Sequence, residues 1–179
     1  RLIRRQRQMC IRDRYAQKFP LTLSCRVCFE QSYNGVDGDS ATSTETYCIL
    51  SSLSGLPIRQ DLAVTGSMNQ RGEIQPIGGV TYKIEGFYNI CKNKGLTGTQ
   101  GVIIPRSNIK DMVLSDEVVE SVKNKQFHIY AIDNVDDGIE LLMGKKADKA
   151  LASGGFSKDS VHSKVYEKLK NYYKISVQE

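Results

Sequence analysis

Two residues of this chain have types and surroundings suited to acid–base chemistry. Lys83 lies in Gly78-Gly79-Val80-Thr81-Tyr82-Lys83-Ile84-Glu85-Gly86-Phe87-Tyr88-Asn89-Ile90-Cys91, where Val80, Ile84, Phe87 and Cys91 recur at helical spacing. It falls three after Val80 and four before Phe87, which puts it on the inward stripe. An ammonium there is costly unless it is paired or has released its proton, and a neutral lysine is a base. The second residue is Ser40, in the small-residue stretch Asp37-Gly38-Asp39-Ser40-Ala41-Thr42. Such a stretch caps a helix, with Asp39 or Ser40 at the N-cap and Thr42-x-x-Glu45 as a capping box. It also suits a nucleophile held at a helix start, where exposed N–H groups stabilise an oxyanion. Capping is the commoner use of these residues. Serine is a poor nucleophile without an adjacent base, and a lysine of lowered pKa can serve as one. Spacing alone leaves open whether the two meet.

Other motifs carry less. Cys25-x-x-Cys28 has metal-like spacing, but it falls in an alternating segment that reads as a strand. Residues three apart on a strand point to opposite faces, so no shared ion is expected and Cys25 reads as a core residue. Ser107-x-x-Lys110 matches an acyl-enzyme tetrad without its companion elements, and reads instead as a helix start after Pro105. The glycine-rich run Gly95–Gly101 precedes a strand rather than opening a helix, and there is no phosphate-binding G-x-x-x-x-G-K-[ST] motif. No metal or cofactor site is expected in this chain.

The elements that must position Ser40 and Lys83 follow from pattern. Leu21, Leu23, Cys25, Val27 and Phe29 alternate with polar residues and predict a half-buried strand. A helix is expected from about 40 to 53, stopped by Gly55 and Pro57, and strands at 61–67 and 73–77. The Lys83 helix runs to about 93. A strand at 101–104, a helix near 116–125, a strand at 127–132 and a helix at 135–143 follow. After Ala152-Ser153-Gly154-Gly155, an amphipathic helix from about 158 to 173 carries Val161, Val165 and Leu169 on one face. This intermingling predicts an α+β fold of mixed sheets with packed helices.

The 179 residues suffice for one domain with an appendage, and no apolar run is long enough to span a membrane. Five cysteines without framework spacing fit a reducing, cytoplasmic setting. The net charge of +5 is uneven: residues 1–18 carry seven Arg/Lys against one acid, and the remainder nets −1. Arg5–Arg14 resembles a translated sequencing-adapter read-through, and 1–18 reads as that or as a basic linker. The expected division is 1–18, a domain at 19–144 and a C-terminal extension at 145–179. Without the first 18 residues no basic face argues for nucleic acid, so neither nucleic acid nor membrane is an expected partner.

Asp37-Gly38-Asp39-Ser40-Ala41, Val64-Thr65-Gly66 and Pro76-Ile77-Gly78-Gly79-Val80-Thr81-Tyr82-Lys83 resemble, in order and spacing, the proteolytic domain of Lon-type proteases. The resemblance runs from about Leu21 to Gly144. Phe29-Glu30-Gln31-Ser32-Tyr33, Lys83-Ile84-Glu85-Gly86-Phe87 and Gln100-Gly101-Val102-Ile103-Ile104-Pro105 look like the atypical bacterial Lon homologues, whose upstream region departs from an ordinary ATPase module. The resemblance implies the fold shared with the second domain of a small-subunit ribosomal protein, assembled as a ring, usually a hexamer. It implies a serine endopeptidase acting on protein or peptide substrates. Ser40 falls on the nucleophile and Lys83, 43 residues on, on the base. Thr65 falls on a threonine that hydrogen-bonds the lysine, and Asp37 on an acidic position that shapes the loop, with Asp39 beside the nucleophile. ATP would act through an upstream module. The rival expectations are a catalytically silent assembly or binding module of the same fold and, more distantly, an RNA-binding protein.

Overall fold

The computed structural model describes residues 14–15, 18–28, 38–148, 151 and 155–178. In chain order its elements are α1 (Thr42–Ser54), β1 (Leu62–Val64), β2 (Ser67–Met68), β3 (Ile74–Gln75), α2 (Val80–Lys94) and β4 (Gly101–Pro105). A 3-10 helix (Arg106–Asp111), α3 (Asp116–Lys123), β5 (His128–Ile132), α4 (Val135–Met143) and α5 (Val161–Ser176) complete it.

The sequence Gly-Val-Ile-Ile-Pro of β4 has no polar side chain, which suits a strand covered on both faces. All five residues are buried, and β4 is the centre of a parallel sheet ordered β1-β4-β5. The register sets Val64 beside Ile103 and Ile103 beside Tyr130. Parallel neighbours need crossover connections; α2 (β1 to β4) and α3 (β4 to β5) supply them, both on one face. Ile103 points into one cluster with Leu62 and Ile132, against Tyr47 and Leu50 of α1, Ile139 and Leu142 of α4, and Val165 and Leu169 of α5. Val102 and Ile104 point into the other, with Phe127, against Val80, Ile84, Tyr88 and Cys91 of α2 and Val118 of α3. Ile103 and Ile104 are fully buried, each contributing about 1.5–3 kcal/mol of hydrophobic stabilisation. β2 and β3 form a separate antiparallel pair. The expected mixed sheets with packed helices are therefore present.

Three local expectations need correction. Residues 20–28 form no strand; Leu21, Leu23 and Val27 are half-buried against the first cluster with no strand partner, and Phe29 lies outside the described residues. Alternation reported which side chains find apolar cover, and that cover comes from packing on the first cluster. Cys25 is exposed, as is Cys28, so Cys25 is not a core residue. The strand expected over 61–67 is broken at Thr65-Gly66, where the chain leaves β1 and enters β2.

The C-terminal helix packs on the domain. Val161, Val165 and Leu169 share one core with α1, and Ser160 caps α5 by accepting from the Ser163 amide at 3.0 Å. Tyr15 and Phe19 join that core, Phe19 stacking on Tyr173 with ring centroids 5.8 Å apart. Behind them His162 is 1 % exposed. Its Nε2 lies 3.0 Å from Asp136 Oδ1 and 2.8 Å from Arg14 Nη1, its Nδ1 lies 2.5 Å from the Tyr15 hydroxyl, and Arg14 pairs with the same carboxylate. A buried imidazole is tolerated because its ring nitrogens are satisfied.

Candidate active site

Ser40 is half-buried in the turn leading into α1. The turn is not the capping structure expected from its residue types. The N-cap is Ala41, which has no side-chain acceptor, and Thr42 is the first helical residue, so neither Asp39 nor Ser40 caps α1 and no Thr42–Glu45 capping box closes it. The orphan amides at the helix start are satisfied by backbone instead. The Thr42 amide and hydroxyl both donate to the Asp39 carbonyl, at 3.0 and 2.6 Å. The Ser43 amide and hydroxyl both donate to the Gly66 carbonyl, at 3.2 and 2.8 Å.

The break between β1 and β2 is what the turn leans on. Thr65 continues the ladder for one residue, its amide donating to the Ile103 carbonyl at 3.0 Å. The Gly66 amide then donates to the Ser40 carbonyl at 2.8 Å, and the Thr65 hydroxyl reaches the same oxygen at 3.4 Å. Ser67 Oγ donates to Asp39 Oδ2 at 2.6 Å. Thr65 and Ser67 are buried, at 8 % and 4 % exposure. Asp37 lies outside the described residues.

Lys83 enters from α2. Gly79 starts this helix in the left-handed region, φ 66°, where a Cβ would be strained. The buried stripe is Val80, Ile84, Tyr88 and Cys91. Phe87 is only half-buried, and Lys83 stands beside the stripe and is exposed. The inward position expected for Lys83 is thus corrected: the buried stripe runs through Tyr88 rather than Phe87, and Tyr88 packs the closer against Phe127, centroids 5.3 Å apart against 6.3 Å for Phe87. What Lys83 does have is a directed contact. Its Nζ donates to Thr65 Oγ1 at 3.3 Å. Of the five site residues expected from sequence, Ser40, Thr65 and Lys83 lie on one chain of hydrogen bonds, and Asp39 is tied to the next residue of the same connection.

Three residues were missed. Ser43 and Ser67 hold the turn as described, and Asn108 holds the segment before α2. Asn108 is 3 % exposed; it accepts from the Ile77 amide at 2.9 Å and donates to the Ile77 carbonyl at 3.0 Å. It sits in the tetrad Ser107–Lys110, which forms the 3-10 helix with Ser107 and Lys110 exposed. A serine in Thr65-Gly66-Ser67 and an asparagine after Pro105 give no periodic signal, so only the packed structure exposes their roles.

Comparison with known proteins decides what this arrangement belongs to. The model of the Lon protease (S16) C-terminal proteolytic domain matches residues 27–145. The chain belongs to that family. It is 46 % identical over 127 residues to a Lon protease homolog of Escherichia coli (strain K12), covering 71 % of this chain and 21 % of the relative. A Lon protease homolog of Haemophilus influenzae is 45 % identical over 139 residues, covering 77 % and 23 %. The archaeal Lon protease of Thermococcus kodakarensis is 39 % identical over 125 residues, covering 69 % and 18 %. The chain thus spans about a fifth of the length of these relatives. Membership places this Lon domain in a protease family. Among its described residues no helix is long and apolar enough to cross a membrane, and no cluster of three or more His, Cys, Asp or Glu could hold a metal ion.

Proposed function

We propose that this Lon domain is the proteolytic part of a serine endopeptidase, with Ser40 as nucleophile and Lys83 as general base. The observation that carries the reading is the Thr65 hydroxyl, which accepts from Lys83 Nζ at 3.3 Å and donates to the Ser40 carbonyl at 3.4 Å. A neutral Lys83 takes the Ser40 hydroxyl proton, Ser40 Oγ attacks the peptide carbonyl, and an acyl-enzyme forms. Lys83 returns the proton to the leaving amine and then activates water for deacylation. Thr65 engages one N–H of the amine and so turns its lone pair away from itself. Since the Thr42 and Ser43 amides are already bonded, the oxyanion donors are the amides of Ser40 and Ala41.

Lys83 is exposed in the single chain, and a lysine becomes a base near neutral pH when it is desolvated. Bound substrate and neighbouring subunits, in a ring that resemblance makes hexameric, would supply that cover, with ATP acting through an upstream module. The same exposure favours the second reading, a catalytically silent Lon-fold assembly or binding module. Cleavage of an unfolded protein substrate separates the two. The dyad requires that Ser40→Ala and Lys83→Ala each abolish cleavage while circular dichroism stays that of the parent. Undiminished cleavage by either variant removes that residue from the chemistry, and a parent chain inert on every unfolded substrate supports the silent module.

A further inference from the structure

We propose that Ser67 is a positioning residue for the nucleophile turn, a role that rests on the Ser40–Lys83 reading. The Asp39-Ser40-Ala41 turn is held at three places by the β1–β2 connection. Gly66 and Thr65 hold the Ser40 carbonyl, and Ser43 holds the Gly66 carbonyl from the helix side. These bonds fix the backbone after the nucleophile's Cα. On the other side of that Cα the Thr42 amide and hydroxyl hold the Asp39 carbonyl, at 3.0 and 2.6 Å. The side chain of Asp39 is tied from a different element, its Oδ2 accepting from Ser67 Oγ at 2.6 Å. Ser67 can serve as an anchor because it is paired in the β2–β3 ladder opposite Gln75 and is 4 % exposed, whereas Asp39 is exposed. A hydroxyl donating to a carboxylate is among the stronger neutral-to-charged hydrogen bonds.

This asymmetry separates the role from a merely structural one. Removing the Ser67 hydroxyl leaves an exposed carboxylate that water can solvate, so the fold loses little. The turn loses the bond that ties the Asp39 side chain to β2, and small displacements of a nucleophile are costly in rate.

The test uses the full 179-residue chain and two measurements. The first is the rate at which a fluorophosphonate labels Ser40, releasing fluoride. Ser67→Ala and Asp39→Ala should each slow labelling roughly tenfold, and the double variant no further, while Asp39→Asn, which keeps an accepting oxygen, stays within about threefold. The second is amide exchange, which should quicken over residues 38–44 in Ser67→Ala and remain unchanged in α4. Labelling of Ser67→Ala at the parent rate overturns the proposal, as do additive losses in the double variant or faster exchange throughout. If the parent is not labelled at Ser40, the nucleophile reading fails instead. Exchange then decides the tether alone: faster exchange confined to 38–44 retains it, and unchanged exchange removes it.

Discussion

The Gly66 amide donates to the Ser40 carbonyl at 2.8 Å, and one residue earlier the Thr65 amide donates to the Ile103 carbonyl at 3.0 Å. The main chain of the proposed nucleophile is therefore registered, through two successive amides, to the fully buried middle of β4. A site registered to a buried central strand keeps its geometry without large side chains to clamp it.

Thr65 is the residue on which this arrangement is most exposed to test. Its hydroxyl is the only described partner of Lys83 Nζ and also touches the Ser40 carbonyl. Thr65→Ala should lower acylation of Ser40 by about 10- to 100-fold, whereas Thr65→Ser should recover most of it. Thr65→Val, which preserves the shape and removes the hydroxyl, should behave as Thr65→Ala. Single-turnover kinetics with an ester substrate measures all three, and a Thr65→Val rate equal to the parent's would detach Thr65 from the dyad.

The knot around His162 gives a pH dependence with a definite sign. Burial pushes the Asp136 carboxyl up, but the hydrogen bond from His162 and the charge of Arg14 outweigh it and hold the group below its ordinary 3.8. The unfolded chain then binds this proton more readily than the folded one. The stabilisation is fully present above the ordinary value and disappears as pH falls through the lower folded value. Asp136→Asn cannot titrate. Urea unfolding should show the parent more stable than Asp136→Asn at neutral pH, with the gap closing in acid. A gap that is constant from pH 7 to pH 2 would mean that the ion pair does not link stability to protons.

Much of the fold was legible because periodicity reports burial. The unbroken apolar run of β4 and the face of Val161, Val165 and Leu169 on α5 carry that signal at full strength. Residues 20–28 show its limit: alternation recorded which side chains are covered, not what covers them. Lys83 shows a second limit. A stripe defined by Phe87 or by Tyr88 differs by one residue; both rings reach Phe127, and the closer, more buried one is Tyr88. Lys83 and Ser40 stood out by spacing and residue type, but their pairing and the part of Thr65 came from resemblance. Ser43, Ser67 and Asn108 were not found at all, because each acts on a group far away in sequence, a backbone group for Ser43 and Asn108 and the Asp39 carboxylate for Ser67. Hydrogen bonds of that kind leave no local trace.

One contact beneath α1 sets the spacing between that helix and α4. A Cβ placed on Gly138 would lie 2.0 Å from Tyr47 Oη and 2.5 Å from its Cζ. Tyr47 is 1 % exposed, so its ring cannot swing into solvent to make room. Gly138→Ala should therefore destabilise the domain by about 3 kcal/mol or more, the upper range for overpacking, despite the better helix propensity of alanine. The Tyr47 hydroxyl has no hydrogen-bond partner among the described residues, and burial together with the charges of Asp136 and Asp137 pushes its pKa up. Tyr47→Phe removes an unsatisfied buried group at nearly constant shape, and should stabilise the domain by about 1 kcal/mol. In the Gly138→Ala background the same change should recover only part of the loss, since the ring carbon remains too close. Urea denaturation of the four chains measures each term and their coupling. A tolerated Gly138→Ala would mean that α1 and α4 separate easily. The turn carrying Ser40 at the start of α1 would then owe its position to the β1–β2 connection alone.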